Sequence, residues 1–171
     1  MSQYRVRIEK DYTVFCAGHF ITYHGHECEP LHGHNYRAAA SVEGPLDENA
    51  YVFDFTQLKR ALKSVIDRLD HRMLLPTKSA LIHVTQSGGE VEARYRDKRY
   101  VFPLSDVVLL PIPNTTAEML AWWIAQELRH GARALPTGAT AIEVEVDESS
   151  GQRAFYRETL GEPSRGEPAR S

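Results

Sequence analysis

Two histidines separated by one residue, His32 and His34, are the strongest chemical signal in the sequence. On a β-strand, residues i and i+2 point to the same face, so two such imidazoles can bind one metal ion. His19 lies thirteen residues earlier, at the end of another predicted strand, and could supply a third nitrogen. Three protein nitrogens around zinc leave one position open for a substrate oxygen, as in catalytic zinc sites. Taken alone, the motif is a weak signal and is more often a solvated surface cluster.

A second pair with the same spacing, His24 and His26, serves as a comparison within the chain. It lies in the segment 21–31, which contains Gly25 and Pro30 and which we predict to be a loop. Alternation imposes no common face there, so we expect these two histidines to be solvated.

The two cysteines are predicted to differ in role. Cys28 lies four residues before His32. It could be a fourth metal ligand that closes the site, or a thiolate base or nucleophile whose pKa is lowered by a nearby cation. Cys16 has apolar neighbours in a predicted strand, and we expect an inert buried thiol.

Three acidic or basic residues elsewhere could take part in proton transfer or substrate binding. Asp70 directly precedes His71, and an aspartate that orients an imidazole is a common way to build a general acid or base. Taken alone, such a pair is more often a helix cap or a surface ion pair. Glu148 ends a predicted strand, where it could bind an amino-substituted heterocycle or simply be solvated.

The elements that position these residues are predicted from hydrophobic periodicity. Alternation predicts one long or bent strand over 4–19, a strand over 34–43, and a strand over 141–148 that residues 155–156 could extend. A helical stripe over 54–69 begins near a cap at Asp54 or Thr56. A second helix is predicted to open at Thr115 with a capping box to Glu118 and to stop at Gly131. Its Trp122 and Trp123 are predicted to lie in the core or a subunit interface.

The region 76–113 is the least regular part of the sequence, and we interpret it as a hairpin-like insertion. Its candidate strands cover 81–85, 91–95, 100–102 and 107–110. The order of elements favours an α+β fold in which two helices lie on one face of an antiparallel sheet. We therefore expect one domain over 1–160 and a disordered tail over 161–171, which contains glycine and proline but no aromatic residue.

Composition limits the class of protein. A chain of 171 residues is long enough for one self-sufficient core. With 20 Lys plus Arg against 23 Asp plus Glu, the net charge of −3 argues against nucleic acid as the main partner. No stretch approaches the apolar length of a membrane span, and two cysteines are too few for a disulfide framework. These features lead us to expect a cytoplasmic protein with no membrane partner.

Taken in order, several segments resemble the family of 6-pyruvoyl-tetrahydropterin and 6-carboxy-tetrahydropterin synthases. The resemblance covers roughly 4–75 and 112–157. The order and spacing of all the matching motifs together are more specific than any single motif. The matching segments are Phe15-Cys-Ala-Gly-His19, Cys28 to Tyr36, Val52-Phe-Asp-Phe55, Leu69-Asp-His71, Asn114-Thr-Thr-Ala-Glu118 and Val146-Asp-Glu-Ser149.

The resemblance implies a tunnelling fold that assembles into a trimeric β-barrel, usually a homo-hexamer of two stacked trimers, with active sites at subunit interfaces. It implies zinc held by His19, His32 and His34, and a proton-shuttling thiolate at Cys28. Asp70 and His71 would form a partner dyad. Glu148 would grip the pterin's amino and ring nitrogens, and Thr116 and Glu118 would line the pterin pocket.

The substrate that the resemblance implies is 7,8-dihydroneopterin triphosphate. We expect a zinc-dependent lyase that makes 6-carboxy-5,6,7,8-tetrahydropterin for queuosine biosynthesis. A 6-pyruvoyl product is the first alternative. The glutamate at position 29, directly after Cys28, makes the chain resemble a subgroup of the family that cleaves dihydroneopterin to 6-hydroxymethyl-dihydropterin. In that case Glu29 would be a second base. The alternative is that Glu29 is a solvated carboxylate. Hypotheses from other classes are a non-catalytic pterin-binding module and a structural metal protein with Cys28 as fourth ligand.

Overall fold

The computed structural model describes residues 4–131, 135–136 and 138–161. Within these ranges the chain forms two α-helices and twelve β-strands, with five strands before the first helix, five between the helices and two after the second. Their bounds are β1 Tyr4–Ile8, β2 Val14–His19, β3 Thr22–Tyr23, β4 Glu27–Cys28, β5 His32–Gly44, α1 Phe55–Ile66, β6 Arg72–Pro76, β7 His83–Ser87, β8 Glu90–Tyr95, β9 Lys98–Pro103, β10 Val107–Leu110, α2 Ala117–His130, β11 Ala141–Ser149 and β12 Gln152–Thr159.

The main sheet has seven strands in the order β10-β6-β2-β5-β11-β12, with β1 also paired to β5. The long strand β5 organises it, since β1 pairs with residues 40–44 and β2 pairs with residues 32–37. The prediction of one strand over 4–19 is therefore wrong. A turn closed by the Thr13 N–H on the Lys10 carbonyl, 2.9 Å, divides this segment into two strands.

The expectation of a wholly antiparallel sheet is also wrong. Strand β6 runs parallel to both β2 and β10. Helix α1 lies between β5 and β6 in the chain. The first residue of β6, Arg72, lies opposite Ala17 near the end of β2, and β6 then runs in the direction of β2 and opposite to that of β5. The α+β class itself is confirmed.

The two helices pack on one face of the main sheet and build the principal core. Helix α2 lies on β11 and β12, and α1 lies on β1, β5 and α2. Alternate residues of β5 supply the sheet side of this core: Tyr36, Ala38, Ala40 and Val42. Helix α1 begins as predicted, with the Asp54 side chain accepting a hydrogen bond from the Thr56 N–H at 2.6 Å. Trp123 is buried and Trp122 packs against the core, as predicted.

The capping box predicted at the second helix is wrong by one residue. Thr116, not Thr115, is the N-cap, and its hydroxyl accepts from the Met119 N–H. Thr115 is instead buried, and its hydroxyl donates to the carbonyl oxygen of Phe20 at 3.3 Å. A buried hydroxyl must find a partner, and the chain next to β2 provides one. The helix ends at Gly131, as predicted.

The region 76–113 contains strands at all four predicted places. Strands β7, β8 and β9 form a separate antiparallel sheet, which we call the accessory sheet, whereas β10 joins the main sheet. A second apolar cluster lies beneath it, formed by Phe20, Met73, Leu75, Ile82, Val91, Ala93 and Tyr95. The accessory sheet is thus packed onto the body of the domain.

The predicted disordered tail lies outside the described residues beyond Gly161. In the ranges that the structure describes, neither helix has the length and apolar character required to cross a membrane.

Candidate metal centre and substrate cavity

The three histidines singled out in the sequence lie together at the end of the principal core. Their nearest nitrogen atoms all lie within 4.8 Å of one another. His19 on β2 pairs directly with His32 on β5, and His34 follows two residues later on the same face. Tyr36 and Ala38 lie on this same face of β5 and point into the core. The two histidines therefore occupy the alternate positions directly before the core-facing residues of the strand. His19 is fully buried, while His32 and His34 are half-buried.

Two of the imidazoles are oriented by backbone carbonyl groups. Nδ1 of His19 lies 2.9 Å from the carbonyl oxygen of Thr115, and Nδ1 of His32 lies 2.8 Å from that of Pro30. A carbonyl can only accept, so each Nδ1 carries the proton and each Nε2 keeps a free lone pair. Fixing the tautomer in this way is the usual preparation of a histidine for metal binding. The donor set therefore fits a zinc ion.

The protonation of His19 supports the same conclusion. Burial lowers the pKa of His19 to about 4, although its hydrogen bond to Thr115 opposes the shift and His32 and His34 add to it. The ring is therefore neutral at physiological pH and able to act as a ligand.

The glycine between the two ligands of β5 is explained by close strand packing. A Cβ atom at Gly33 would lie 3.1 Å from the carbonyl oxygen of Ala17 on β2. Contacts this short force the neighbouring backbone to move, which would shift the paired ligands His19 and His32. The His-Gly-His sequence thus combines two ligands with a tight approach of strands.

Two further residues, Glu148 and Tyr36, border the histidines. Glu148 Oε1 lies 3.4 Å from Nε2 of His19 and 3.8 Å from Nε2 of His34. The hydroxyl of Tyr36 lies 3.1 Å from Nε2 of His19 and 3.4 Å from Glu148 Oε1. Burial, together with the Glu148 charge, raises the pKa of Tyr36, so this hydroxyl keeps its proton. Tyr36 was not among the predicted site residues, although the i+2 alternation after His34 places it on the same face.

A cavity of about 530 Å³ opens beside Glu148. Its lining includes two other predicted substrate-binding residues, Thr116 and Glu118, at the start of α2. Ligand cavities usually have volumes of about 300–1,000 Å³, so a small heterocycle would fit. The structure thus brings the predicted carboxylate and the predicted pocket residues to one opening, and Glu148 connects this opening to His19 and His34.

Cys28 and Glu29 lie on and directly after the short hairpin of β3 and β4, which we call the thiol hairpin. Cys28 is half-buried, and burial raises the pKa of its thiol, with Lys98 lowering it and Glu29 raising it. Glu29 Oε2 lies 3.7 Å from Nε2 of His32, so the carboxylate faces the metal-binding edge of that imidazole. This contact favours a role for Glu29 over the solvated alternative.

Asp70 and His71 lie elsewhere, before β6. Nδ1 of His71 lies 3.0 Å from Asp70, and the other Asp70 oxygen accepts the Cys16 N–H at 2.8 Å. Burial raises the pKa of Asp70, but the hydrogen bonds from Cys16 and His71 outweigh it and lower the pKa below its usual value. His71 has a positive φ of 56°, and its ring is 80% exposed. Within the described residues, no hydrogen bond or ion pair joins this dyad to the three histidines.

The prediction of a buried Cys16 is wrong. Its side chain is exposed because Phe15, Ala17 and His19 occupy the core-facing positions of β2, and Cys16 alternates to the other face. His24 and His26 are exposed near the tip of the thiol hairpin, where His24 and Gly25 both have positive φ. The second His-Gly-His pair is therefore a turn, as expected. The predicted loop over 21–31 nevertheless contains two short paired strands.

This fold and site define an α+β protein with three metal-competent imidazoles beside a cavity of ligand size. The chain belongs to the 6-pyruvoyl tetrahydropterin synthase family, whose model matches residues 7–159.

Individual relatives agree with this membership. A Methanocaldococcus jannaschii protein, provisionally named 6-carboxy-5,6,7,8-tetrahydropterin synthase, is 34% identical over 148 residues, which cover 85% of this chain and 90% of that protein. The Haemophilus influenzae 6-carboxy-5,6,7,8-tetrahydropterin synthase is 34% identical over 129 residues, covering 72% and 82%. Among solved structures, a Plasmodium vivax 6-pyruvoyltetrahydropterin synthase with its catalytic glutamate replaced by alanine matches with a TM-score of 0.86 at 28% identity, covering 94% and 100% of the two chains.

Proposed function

We propose that this protein is a zinc-dependent 6-carboxy-5,6,7,8-tetrahydropterin synthase that acts on 7,8-dihydroneopterin triphosphate. The observation that carries the proposal is the position of Glu148, which lies 3.4 Å from His19 and 3.8 Å from His34 while lining the cavity. A pterin held by this carboxylate would present its side chain to the histidines. The naming of the Methanocaldococcus and Haemophilus relatives supports this product.

His19, His32 and His34 would hold the zinc ion. When bound, zinc supplies a Lewis acid that polarises the side-chain hydroxyl groups of the substrate and acidifies the adjacent carbon-bound proton. The carbonyl groups of Thr115 and Pro30 keep the first two imidazoles in the ligand tautomer. The hydroxyl of Tyr36 contacts both His19 and Glu148 and so fixes their relative positions.

Substrate recognition is assigned to the cavity. The Glu148 carboxylate would accept hydrogen bonds from the pterin amino group and a ring N–H, which is a pairing of planar groups with two donors and two acceptors. Thr116 and Glu118, at the start of α2, line the same cavity and would contact the pterin.

Cys28 and the Asp70–His71 dyad would move protons. Cys28 lies on the thiol hairpin, and the carboxylate of its neighbour Glu29 contacts His32. The dyad lies on a separate part of the chain, so we place it in the site of a neighbouring subunit within a homo-hexamer of two stacked trimers. In that assembly the sheets would close into a β-barrel.

The assembly can be tested by mixing two inactive variants, Cys28→Ala and His71→Ala. If the two residues act in one site contributed by different subunits, unfolding and refolding the mixture restores part of the turnover. Neither variant refolded alone would recover. No recovery in a mixture that light scattering shows to be oligomeric would refute the shared site, and a monomeric mass would refute the hexamer.

Product analysis tests the activity itself. With 7,8-dihydroneopterin triphosphate we expect acetaldehyde, 6-carboxy-tetrahydropterin and free triphosphate by liquid chromatography and mass spectrometry. Cys28→Ala should lose about 10²–10⁴ in turnover, the usual contribution of a positioned acid or base. Cys16→Ala is the matched control and should retain activity, since that thiol lies on the other face of β2. A 6-pyruvoyl product would instead establish the first alternative.

The contact of Glu29 with His32 favours a second candidate, folate-type cleavage to 6-hydroxymethyl-dihydropterin. The Plasmodium vivax synthase has a catalytic glutamate, which shows that a glutamate can serve in this fold. If this is the reaction, hydroxymethyl-dihydropterin is the product and Glu29→Gln abolishes it. Under the main proposal, the Glu29→Gln variant still forms 6-carboxy-tetrahydropterin.

Two hypotheses outside this reaction have their own tests. Tight pterin binding with no product would indicate a non-catalytic binding module. A sulfur ligand in the zinc-edge absorption spectrum of the resting protein would indicate a structural metal site closed by Cys28. We propose that the protein acts in the cytoplasm, as its composition led us to expect, and on the route to queuosine, as the family resemblance implies.

A further inference from the structure

The thiol hairpin is too small to hold its own shape. It consists of two residue pairs, Thr22 with Cys28 and Tyr23 with Glu27. Isolated two-stranded hairpins are marginally stable in water even when they are longer. The position of the Cys28 thiol therefore depends on contacts from outside the hairpin.

One arm of the hairpin is held by the segment before α2. The side chain of Asn114 donates to the Thr22 carbonyl at 2.8 Å and accepts from the Thr22 N–H at 3.3 Å. These bonds fix β3, which does not carry the thiol. The base is closed by the Glu29 N–H on the carbonyl oxygen of Ile21, 3.0 Å.

The arm that carries the thiol is held by the accessory sheet. The Lys98 ammonium donates to the carbonyl oxygen of Cys28 at 3.2 Å, and the Tyr95 hydroxyl donates to that of His26. Tyr95 and Lys98 are directly opposite each other across the β8–β9 turn. Cross-strand partners share a face, so one end of the accessory sheet presents two donors, one to Cys28 on β4 and one to His26 directly before it.

The accessory sheet is itself anchored well enough to act as a support. Val91 and Ala93 are fully buried in the second apolar cluster, against Phe20 and Leu75 of the main body. The Cys28 side chain packs against this same cluster. Lys98 is also the cation whose charge opposes the effect of burial on the Cys28 thiol.

We propose that the accessory sheet clamps the thiol hairpin, and that Lys98 is a positioning residue for Cys28. Lys98 acts on the backbone of Cys28 and need not touch substrate. The clamp itself rests on the contacts above, whereas its effect on turnover rests on the proposed function of Cys28.

The test compares Lys98→Met with Arg99→Met, a matched control from the adjacent position of β9. The Arg99 side chain points to the opposite face, where it pairs with Glu92 at 2.6 Å. Hydrogen–deuterium exchange of a peptide covering 22–29 is the first readout. We expect Lys98→Met to accelerate exchange there about tenfold, the effect of losing one hydrogen bond from a charged donor. Tyr95→Phe should accelerate exchange in the same peptide, and Arg99→Met should not.

Turnover is the second readout. Lys98→Met should lower kcat about tenfold with KM within about twofold, since the thiol is displaced while the pterin pocket is intact. Lys98→Arg keeps a cationic donor and should restore most of kcat. Circular dichroism and the melting temperature of each variant exclude general unfolding.

The outcomes separate the clamp from the proposed function. Unchanged exchange in Lys98→Met, or equal acceleration in Arg99→Met, would overturn the clamp even if the protein makes the expected product. Faster exchange with unchanged kcat would overturn the positioning role. A protein without pterin turnover would defeat the proposed function, while the exchange result would still decide whether the clamp exists.

Discussion

The Nδ1 atom of His19 donates a hydrogen bond to the backbone carbonyl of Thr115 at 2.9 Å, across 96 positions of sequence. This bond links the end of β2 to the residue before the N-cap of α2. Since Thr116 and Glu118 line the cavity from that helix start, one bond sets the imidazole relative to the pocket. The same hydrogen bond therefore orients the His19 imidazole and fixes the position of the helix start that lines the cavity.

Replacing one of the clustered histidines should remove the metal. We expect His34→Ala to lower zinc affinity by more than the ~10–100-fold that loss of an outer hydrogen-bond partner costs, because a ligand itself is lost. Inductively coupled plasma mass spectrometry on dialysed protein measures this. His24→Ala is the matched control, since it removes an exposed histidine from the same His-Gly-His spacing. Equal zinc content in the two variants would contradict the proposed site.

The buried state of His19 predicts a pH dependence of stability in metal-free protein. Its folded pKa is lowered to about 4 from an ordinary 6.5, so between these values the unfolded chain binds a proton that the folded chain does not. The contribution is complete above pH 6.5 and is lost as pH falls towards 4. The slope contributed by this group can reach about 1.4 kcal/mol per pH unit.

The measurement is urea unfolding in the presence of a chelator from pH 4.5 to 7.5. Other groups titrate in this range, so the informative quantity is the difference between the wild type and His19→Asn. The asparagine amide can still donate to Thr115 but does not titrate there. Parallel curves for the two proteins would show that His19 is not the source.

The corrected helix cap predicts a stability effect at Thr116. We expect Thr116→Ala to lower the free energy of unfolding by about 1 kcal/mol, because the Met119 N–H loses its acceptor. Thr116→Ser keeps the hydroxyl and should retain most of the stability. Chemical denaturation measures both, and a loss in the serine variant as large as in the alanine variant would argue against capping.

The dyad predicts that catalysis and stability respond differently at Asp70. In Asp70→Asn one side-chain oxygen can still accept the Cys16 N–H, so the free energy of unfolding should change by less than about 0.5 kcal/mol. Turnover should fall by about 10²–10⁴, because His71 loses its anionic partner.

The control for this variant is Asp67→Asn at the end of α1. This carboxylate pairs with Lys63 and contacts neither the dyad nor the histidines within the described residues. It should leave turnover unchanged. Full activity in Asp70→Asn, measured with the same product assay, would exclude the dyad from the reaction.

Patterns of short range in the sequence predicted much of the site. Period-two alternation placed His32 and His34 on one face. The start of α1 at Asp54 and the four strands of region 76–113 also followed from local signals. These predictions succeeded because strand alternation and helix capping act over a few residues, whatever the rest of the chain does.

Only the tertiary structure decided the remaining features. The parallel course of β6, the division of 4–19 at Thr13 and the separation of the Asp70–His71 dyad from the histidines depend on how elements far apart in sequence pack. The contact of Lys98 with Cys28 joins residues 70 positions apart, and no local pattern encodes it. The sequence by itself determined which side chains could do chemistry here. Tertiary packing decided which of these side chains contact one another within the chain. Burial and hydrogen bonding between distant elements depend on how the whole chain folds, and the local hydrophobic periodicity does not encode them.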